Sequence, residues 1–348
     1  MKIRARYLNE LKPTWQLFED LVCRILKANN FKIEKNDLRE DKGFDLLANL
    51  NDENWAIEVK YYRTARAQAS LIDAAATRVV NNGIEVGISK GMLIVSCILF
   101  PELREALENK FSITFVDQTD LRIWCNLYPE LAEELDILLE TNLNDTFPAY
   151  YSYKTNNPIR NNTLIRVSRP DSKGTELCDK LQNIKKGKIS WKQYEKVCEE
   201  ILKYLFPNDL QGWHSQKRTD DGLNRYDYIC RIRPTTEFWK FVIDHLNSRY
   251  VLFEFKNYIG KIKQGQILTT EKYLLEKGLR RMAIIMTRTG AEKNSIAMTQ
   301  GAMREHGKLI IIINDKKICK MLHMKERGED PTDYLFEIVD NFLLSLPR

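Results

Sequence analysis

Histidine is scarce in this chain, and proline and glycine are sparse: 4, 10 and 15 residues in 348. The four histidines (His214, His245, His306, His323) show no zinc-ligand spacing, which argues against a histidine-built metal centre. The cysteines are seven, an odd number, widely spaced and without a CxxC. Neither a disulfide scaffold nor a structural zinc site is expected, and a reducing cytoplasm fits best. No apolar run approaches the ~20 residues of a membrane span. The N-terminal MKIRARYLNELKP is basic but has no apolar stretch behind it, so no secretory signal is expected. There is no P-loop, no GxGxxG after a strand and no GxSxG elbow, so ATP use by this chain, dinucleotide chemistry and serine hydrolysis are not expected.

What remains is ordinary globular composition, 43% hydrophobic and 29% charged, which argues against wholesale disorder. At ~150 residues per domain, the length predicts two domains. The net charge of +6 is uneven: residues 1–140 carry 18 basic and 23 acidic side chains, 141–189 carry 9 and 4, and the rest carry 27 and 21. A basic second half suits a polyanionic partner, as it also suits a plain solvated surface.

Residues 141–175 read as a linker, rich in Asn, Thr and Pro and without sustained periodicity. Tyr150, Tyr151 and Tyr153 interleave there with Lys154 and Arg160, a mixture that can stack on bases or simply pack on a neighbour. A helix is predicted before the linker at 129–140 and a basic one after it at about 174–186. The flanking domains are 1–140 and 176–348.

These two segments repeat each other. Trp15, Phe18, Glu19, Leu21, Ile25 and Leu26 match Trp191, Tyr194, Glu195, Val197, Ile201 and Leu202 at a constant offset. Thr14 and Ser190 stand where helix N-caps belong. GFDLLA and WAIEVKYY in the first copy answer to RYDYIC and VLFEFKNY in the second. Helices at about 65–80 and 262–277, apolar strands at 92–96 and 282–287, and further strands at 112–117 and 309–315 follow in step. The order α-β-β-α-β-α-β-α, with strands apolar enough to be buried on both faces, predicts two α/β domains of similar build.

Glu58 and Lys60 lie two apart on a predicted strand and share a face; Glu254 and Lys256 repeat them. Asp45 and Asp227 sit on the preceding strands. If the strands pair, each Asp converges with a Glu. Two such carboxylates repel, and a divalent cation removes the conflict. Oxygen-only ligands suit Mg²⁺, with Mn²⁺ as a substitute. Such an ion supplies an activated water and polarises a phosphoryl oxygen, and the lysine beside it stabilises developing charge. Helical-wheel placement puts Glu19 beside Trp15 and Leu26, and Glu195 beside Trp191 and Leu202, on apolar stripes. A carboxylate there needs a partner, either the metal site or an arginine at the stripe's edge. Gln68 and Gln264 lie eight residues beyond each lysine, and Tyr62 and Tyr258 two beyond. The glutamines are placed to reach water or phosphate and the tyrosines to bond a phosphate; packing roles serve equally.

At Glu19, Asp45, Glu58 and Lys60 the first copy resembles the PD-(D/E)XK nuclease superfamily. Its FEDLV, KGFDLLA, IEVKYY, LIVS and FVDQTDL resemble the Mrr-type restriction endonucleases over about residues 10–128. The second copy is similar to a restriction-endonuclease-like domain over about 188–325. The resemblance implies two restriction-endonuclease-like α/β domains, each a mixed central sheet flanked by helices. It also implies Mg²⁺-dependent hydrolysis of DNA. Asp45 and Glu58 would be metal ligands, Lys60 the catalytic lysine and Glu19 the helical carboxylate; Asp227, Glu254, Lys256 and Glu195 would repeat those roles. Mrr-type members often carry Gln-x-Lys where this chain has Glu-x-Lys twice. The second copy differs further, with an insertion at about 233–248 and the loop TDDGLNRYD.

The leading expectation is a metal-dependent endonuclease acting on double-stranded DNA with two sites in one chain. From the resemblance, its setting is bacterial restriction or anti-phage defence. A homodimer or a regulatory partner subunit is compatible, and no membrane is. The alternatives are one active domain beside a nucleic-acid- or partner-binding module, or a non-catalytic DNA-binding assembly protein. Cleavage of RNA or of junctions uses the same chemistry and stays open.

Overall fold

The computed structural model describes residues 12–35, 43–64, 66–139, 159–160, 162–167, 172–215 and 227–347. They fall into two compact units: Met1–Asp171 with Arg327–Glu329, and Ser172–Glu326 with Asp330–Arg348. Most of the linker expected over 141–175, including Tyr150, Tyr151, Tyr153 and Lys154, lies outside the described residues, as does most of the loop TDDGLNRYD.

In unit 1, helix α1 (Thr14–Ala28) leads to strands β1 (Lys32–Lys35), β2 (Leu46–Leu50) and β3 (Glu53–Lys60). Then come α2 (Ala69–Glu85), β4 (Lys90–Val95), α3 (Pro101–Lys110), β5 (Thr114–Val116), α4 (Gln118–Trp124) and α5 (Pro129–Leu138). The sheet runs β1-β2-β3-β4-β5, antiparallel up to β3 and parallel beyond it. Asn51 and Asp52, both at positive φ, close the β2–β3 hairpin, the backbone that a two-residue turn between twisted strands demands. The apolar stripe of α1 (Leu17, Phe18, Leu21, Val22, Ile25, Leu26) packs on one sheet face with Trp55, Ile57 and Val59. Leu71, Ile72, Ala75 and Val79 of α2 cover the other face with Leu93, Val95 and Phe115. Leu164, past the undescribed stretch, joins that second layer. Its amide donates to the Ser89 carbonyl at 2.8 Å.

Unit 2 begins with α6 (Lys173–Asn183), α7 (Trp191–Leu205), β6 (Leu210–Ser215), β7 (Tyr228–Ile232), α8 (Glu237–Leu246) and β8 (Tyr250–Lys256). It continues through α9 (Gln264–Tyr273), β9 (Met282–Thr287), α10 (Lys293–His306), β10 (Leu309–Asn314), α11 (Asp315–Glu326) and α12 (Pro331–Leu344). Its sheet, β6-β7-β8-β9-β10, has the same sequence of antiparallel and parallel pairings. The molecule is therefore two mixed five-stranded sheets, each flanked by helices, as restriction-endonuclease-like domains are built.

The structure departs from the sequence reading at several points. Each sheet has one more strand than expected. KIEK is only four residues long, and LQGWHS is polar and carries a bulge with Gly212 at positive φ, so neither shows an apolar strand run. The insertion at 233–248 holds the helix α8, with Phe238, Trp239 and Val242 in the core. Thr14 lies inside α1, after Pro13, and Ser190 precedes α7 without bonding its amides through its side chain. Trp15 is 52% exposed and Trp191 38%, because the first turn of each helix stands in solvent and the buried stripes begin at Leu17 and Tyr194. Cys178 and Cys319 form a disulfide joining α6 to α11, where no pairing was expected; the other five cysteines, all among the described residues, form no disulfide.

Candidate active site

The β2–β3 register pairs Leu46 with Ile57. Carried one step further, it sets Asp45 opposite Glu58. The Asp45 amide donates to the Ile57 carbonyl at 3.1 Å, and Asp45 Oδ2 accepts the Val59 amide at 2.7 Å. Glu58 and Lys60 sit on the face of β3 opposite Ile57 and Val59 and are only 1% and 8% exposed. Lys60 Nζ lies 2.6 Å from Glu58 Oε1, while Glu58 Oε2 is buried with no hydrogen-bond partner.

Unit 2 repeats the core of this arrangement. Tyr228 pairs with Phe253, which sets Asp227 opposite Glu254. Asp227 Oδ2 accepts the Phe255 amide at 2.8 Å. Lys256 Nζ donates to Glu254 Oε2 at 2.7 Å and lies 3.9 Å from Asp227 Oδ2. Glu254 Oε1 is buried without a partner.

Burial pushes the Glu58 carboxyl up to about 7, with Lys60 opposing and Asp45 reinforcing. Glu254 rises to about 7 for the same reasons, with Lys256 and Asp227 in those parts. Burial acts to lower both lysines, but the surrounding carboxylates outweigh it and hold each ammonium charged. Glu19 rises to about 8, through burial first and then Asp45, with Lys60 opposing; this places the α1 carboxylate in the field of the β2–β3 group. Glu195 is half-buried on α7.

A divalent cation fits this donor set. Each site offers an aspartate, and a glutamate with one orphaned, desolvated oxygen, and both groups are hard oxygen ligands. Among the described residues no group of three or more His, Cys, Asp or Glu could hold a metal. Two carboxylates with water completing the shell is the usual way Mg²⁺ is held.

The supporting residues diverge. Gln68 stands just before α2 and its carbonyl accepts the Leu71 amide; Gln264 opens α9, exposed. Tyr62 is 1% exposed and its hydroxyl donates to the Gly328 carbonyl at 2.7 Å, whereas Tyr258 is 38% exposed.

Four residues escape the sequence reading: Arg78, Ser96, Arg288 and Asn257. Arg78 of α2 brings Nε to 3.9 Å from Glu58 Oε1 and donates from Nη2 to the Gly43 carbonyl. Ser96 accepts the Tyr62 amide at 2.7 Å and donates to the Tyr62 carbonyl. Arg288 donates to the side chain of Asn257, the residue after Lys256, and to the carbonyls of Leu181 and Ile184. Arg78 alone left a trace, a charge beside the apolar positions of α2.

Two mixed five-stranded sheets flanked by helices are consistent with two restriction-endonuclease-like domains. Residues 11–125 match the family model Mrr_cat, described as a restriction endonuclease. That stretch is a restriction-endonuclease-type domain and contains Glu19, Asp45, Glu58 and Lys60. No curated protein matches the chain. A solved structure titled "Crystal Structure of Protein of Unknown Function AF1548" is similar at 16% identity and a TM-score of 0.25. The match covers 35% of this chain and 64% of that one, so the chain spans less than two thirds of that protein's length. No described helix is long and apolar enough to cross a membrane.

Proposed function

We propose that the protein is a Mg²⁺-dependent endonuclease that hydrolyses phosphodiester bonds of double-stranded DNA at two sites. Mn²⁺ substitutes for Mg²⁺. The observation that carries this reading is the duplicated geometry: in both units an aspartate capped by the same strand amide faces a buried glutamate with one orphaned oxygen, and a lysine holds the other. Asp45 and Glu58 would hold the metal in unit 1, and Asp227 and Glu254 in unit 2. The bound ion would supply Lewis-acid polarisation of the phosphate and an activated water.

The chain's own residues do the rest. Lys60 and Lys256, kept cationic by their carboxylate neighbours, offset the charge that builds on the phosphoryl oxygens. Asp45 and Asp227 are oriented by the amides of Val59 and Phe255. Glu19 and Glu195 are catalytic carboxylates of the stripe-bearing helix at the start of each copy, and Glu19 lies in the field of Asp45, Glu58 and Lys60. Gln68, Gln264 and Tyr258 are assigned supporting contacts to substrate; Tyr62, with its hydroxyl already engaged, supports the backbone after Lys60.

A role in bacterial restriction or anti-phage defence, in the cytoplasm and under the control of a partner subunit or of dimerisation, rests on the family likeness of residues 11–125. Because that match stops before unit 2, a second reading keeps unit 1 as the nuclease and makes unit 2 a DNA-gripping module. Purified protein should cut plasmid with Mg²⁺ or Mn²⁺, be silent in EDTA, and lose all cutting when Asp45→Ala and Asp227→Ala are combined. Full cutting by that double variant would overturn the assignment.

A further inference from the structure

In both sheets, the residue after the parallel neighbour of the Glu-x-Lys strand secures the chain beyond the lysine. In unit 1 that residue is Ser96, clamped on Tyr62. In unit 2 it is Arg288, 5% exposed. Its Nη1 donates to the Ile184 carbonyl at 2.9 Å and to Asn257 Oδ1 at 3.1 Å. Nη2 donates to the Leu181 carbonyl and Nε to Asp315 Oδ2 at 2.7 Å. Asn257, 4% exposed, donates in turn to the carbonyls of Lys185 and Gly187 at 3.0 and 2.9 Å. The Gly187 amide returns a bond to the Asn257 carbonyl at 2.8 Å. Gly187 has a φ of +113°, a backbone that side chains rarely adopt. Ile259 lies against it, 3.6 Å from where a Cβ would stand. Residues 184–187 are thus tied, directly or through Arg288, to the residue that follows Lys256.

The two joined segments have a distinctive surface. Lys185, Lys186, Lys188 and Lys192 on one, and Lys261 and Lys263 on the other, are all exposed. No Asp or Glu occurs in 184–194 or 257–270. Among these lysines Ile189 is 99% exposed, Ile259 74%, and Trp191 and Tyr258 38% each. A single exposed apolar residue is ordinary; four in an acid-free, lysine-rich lip beside paired carboxylates are not. The lysines suit a phosphate backbone, and short aliphatic side chains in such a setting suit insertion between base steps. The corresponding segment of unit 1 instead buries Tyr62.

We propose that segments 184–192 and 257–263 form a DNA-gripping lip of unit 2, with the lysines on phosphates and Ile189 and Ile259 wedged against unstacked bases. The assignment rests on the reading of Asp227, Glu254 and Lys256 as a site that acts on DNA. Arg288 and Asn257 are positioning residues that fix the lip to the site.

The test uses the full chain in EDTA, so that no strand is cut, with a labelled duplex carrying 2-aminopurine. Wild type should bind with a salt-dependent affinity and raise 2-aminopurine fluorescence. Lys185→Ala, Lys186→Ala and Lys188→Ala together should weaken binding about tenfold or more and flatten the log K against log salt slope by about 1 per lysine on a phosphate. Ile189→Ser with Ile259→Ser should abolish the fluorescence rise and leave that slope unchanged. These residues are on the surface, and an unchanged melting curve checks the fold. Equal affinity and equal fluorescence in both variants would overturn the lip, as would binding to anionic phosphatidylserine vesicles without binding to the duplex. Lip-dependent binding by a protein that never cuts in Mg²⁺ would keep the lip and discard the nuclease reading.

Discussion

A glutamate 1% exposed, facing an aspartate and holding one oxygen without a partner, is costly to keep in a folded chain. Lys60 offsets part of that cost. Removing one member of a buried ion pair costs about 3–5 kcal/mol, because the other charge is left unpaired. Lys60→Met should therefore lower the metal-free stability of unit 1 by about 3 kcal/mol in a denaturant titration, and reduce cutting at that site by about 10²-fold or more. An unchanged midpoint would contradict the burial assigned to the pair. Asp45, Glu58 and Lys60 were legible from sequence because strand alternation fixes which residues share a face, and because the repeat supplies the pattern twice. Arg78, Ser96, Arg288 and Asn257 were not. Each works on a partner that is distant in sequence, and apart from the charge of Arg78 beside the apolar positions of α2 nothing local marks such a pairing.

At the scale of elements, periodicity located most helices and the central strands, and missed the edge strands β1 and β6, whose short or glycine-broken runs lack an apolar signature. FVDQTDL is a different case: it was legible as a family feature but not as a physical one. Asp117 accepts the amides of Thr119 and Asp120 to open α4, and the Asp120 side chain accepts the Asp117 amide. Arg104 of α3 crosses over this cap, donating to Asp120 Oδ2 at 2.7 Å, to the Phe115 carbonyl at 2.6 Å and to Glu108. Asp117 and Asp120 are almost wholly buried, so Arg104→Ala should destabilise unit 1 by about 3 kcal/mol, read by chemical denaturation. A change below ~1 kcal/mol would show that the cap holds without it. The helix α8 makes a parallel point in unit 2. Trp239 is fully buried against Phe206 and Phe238. Trp239→Ala should cost about 3–5 kcal/mol, whereas a loop that only touched substrate would change affinity and leave the melting transition in place.

At the scale of the molecule, the duplication is the central fact. Two sheets of the same topology carry the same aspartate-to-amide bond, the same glutamate with an orphaned oxygen and the same lysine contact, although the family match of residues 11–125 lies within unit 1. The supporting parts have diverged: Tyr62 is buried and Tyr258 exposed, Ser96 stands where Arg288 does, and Arg78 approaches Glu58 from α2. Severing a duplex takes two hydrolyses, one per strand, and two cutting sites in one chain, as proposed, would divide them. The most direct measurement is plasmid cleavage in Mg²⁺ by wild type, Asp45→Ala and Asp227→Ala, resolved into supercoiled, nicked and linear forms. The duplicated geometry predicts linear product from wild type and nicked circles alone from each single variant. Linear product from Asp227→Ala at the wild-type rate would contradict a cutting site in unit 2 and leave that unit as the gripping module.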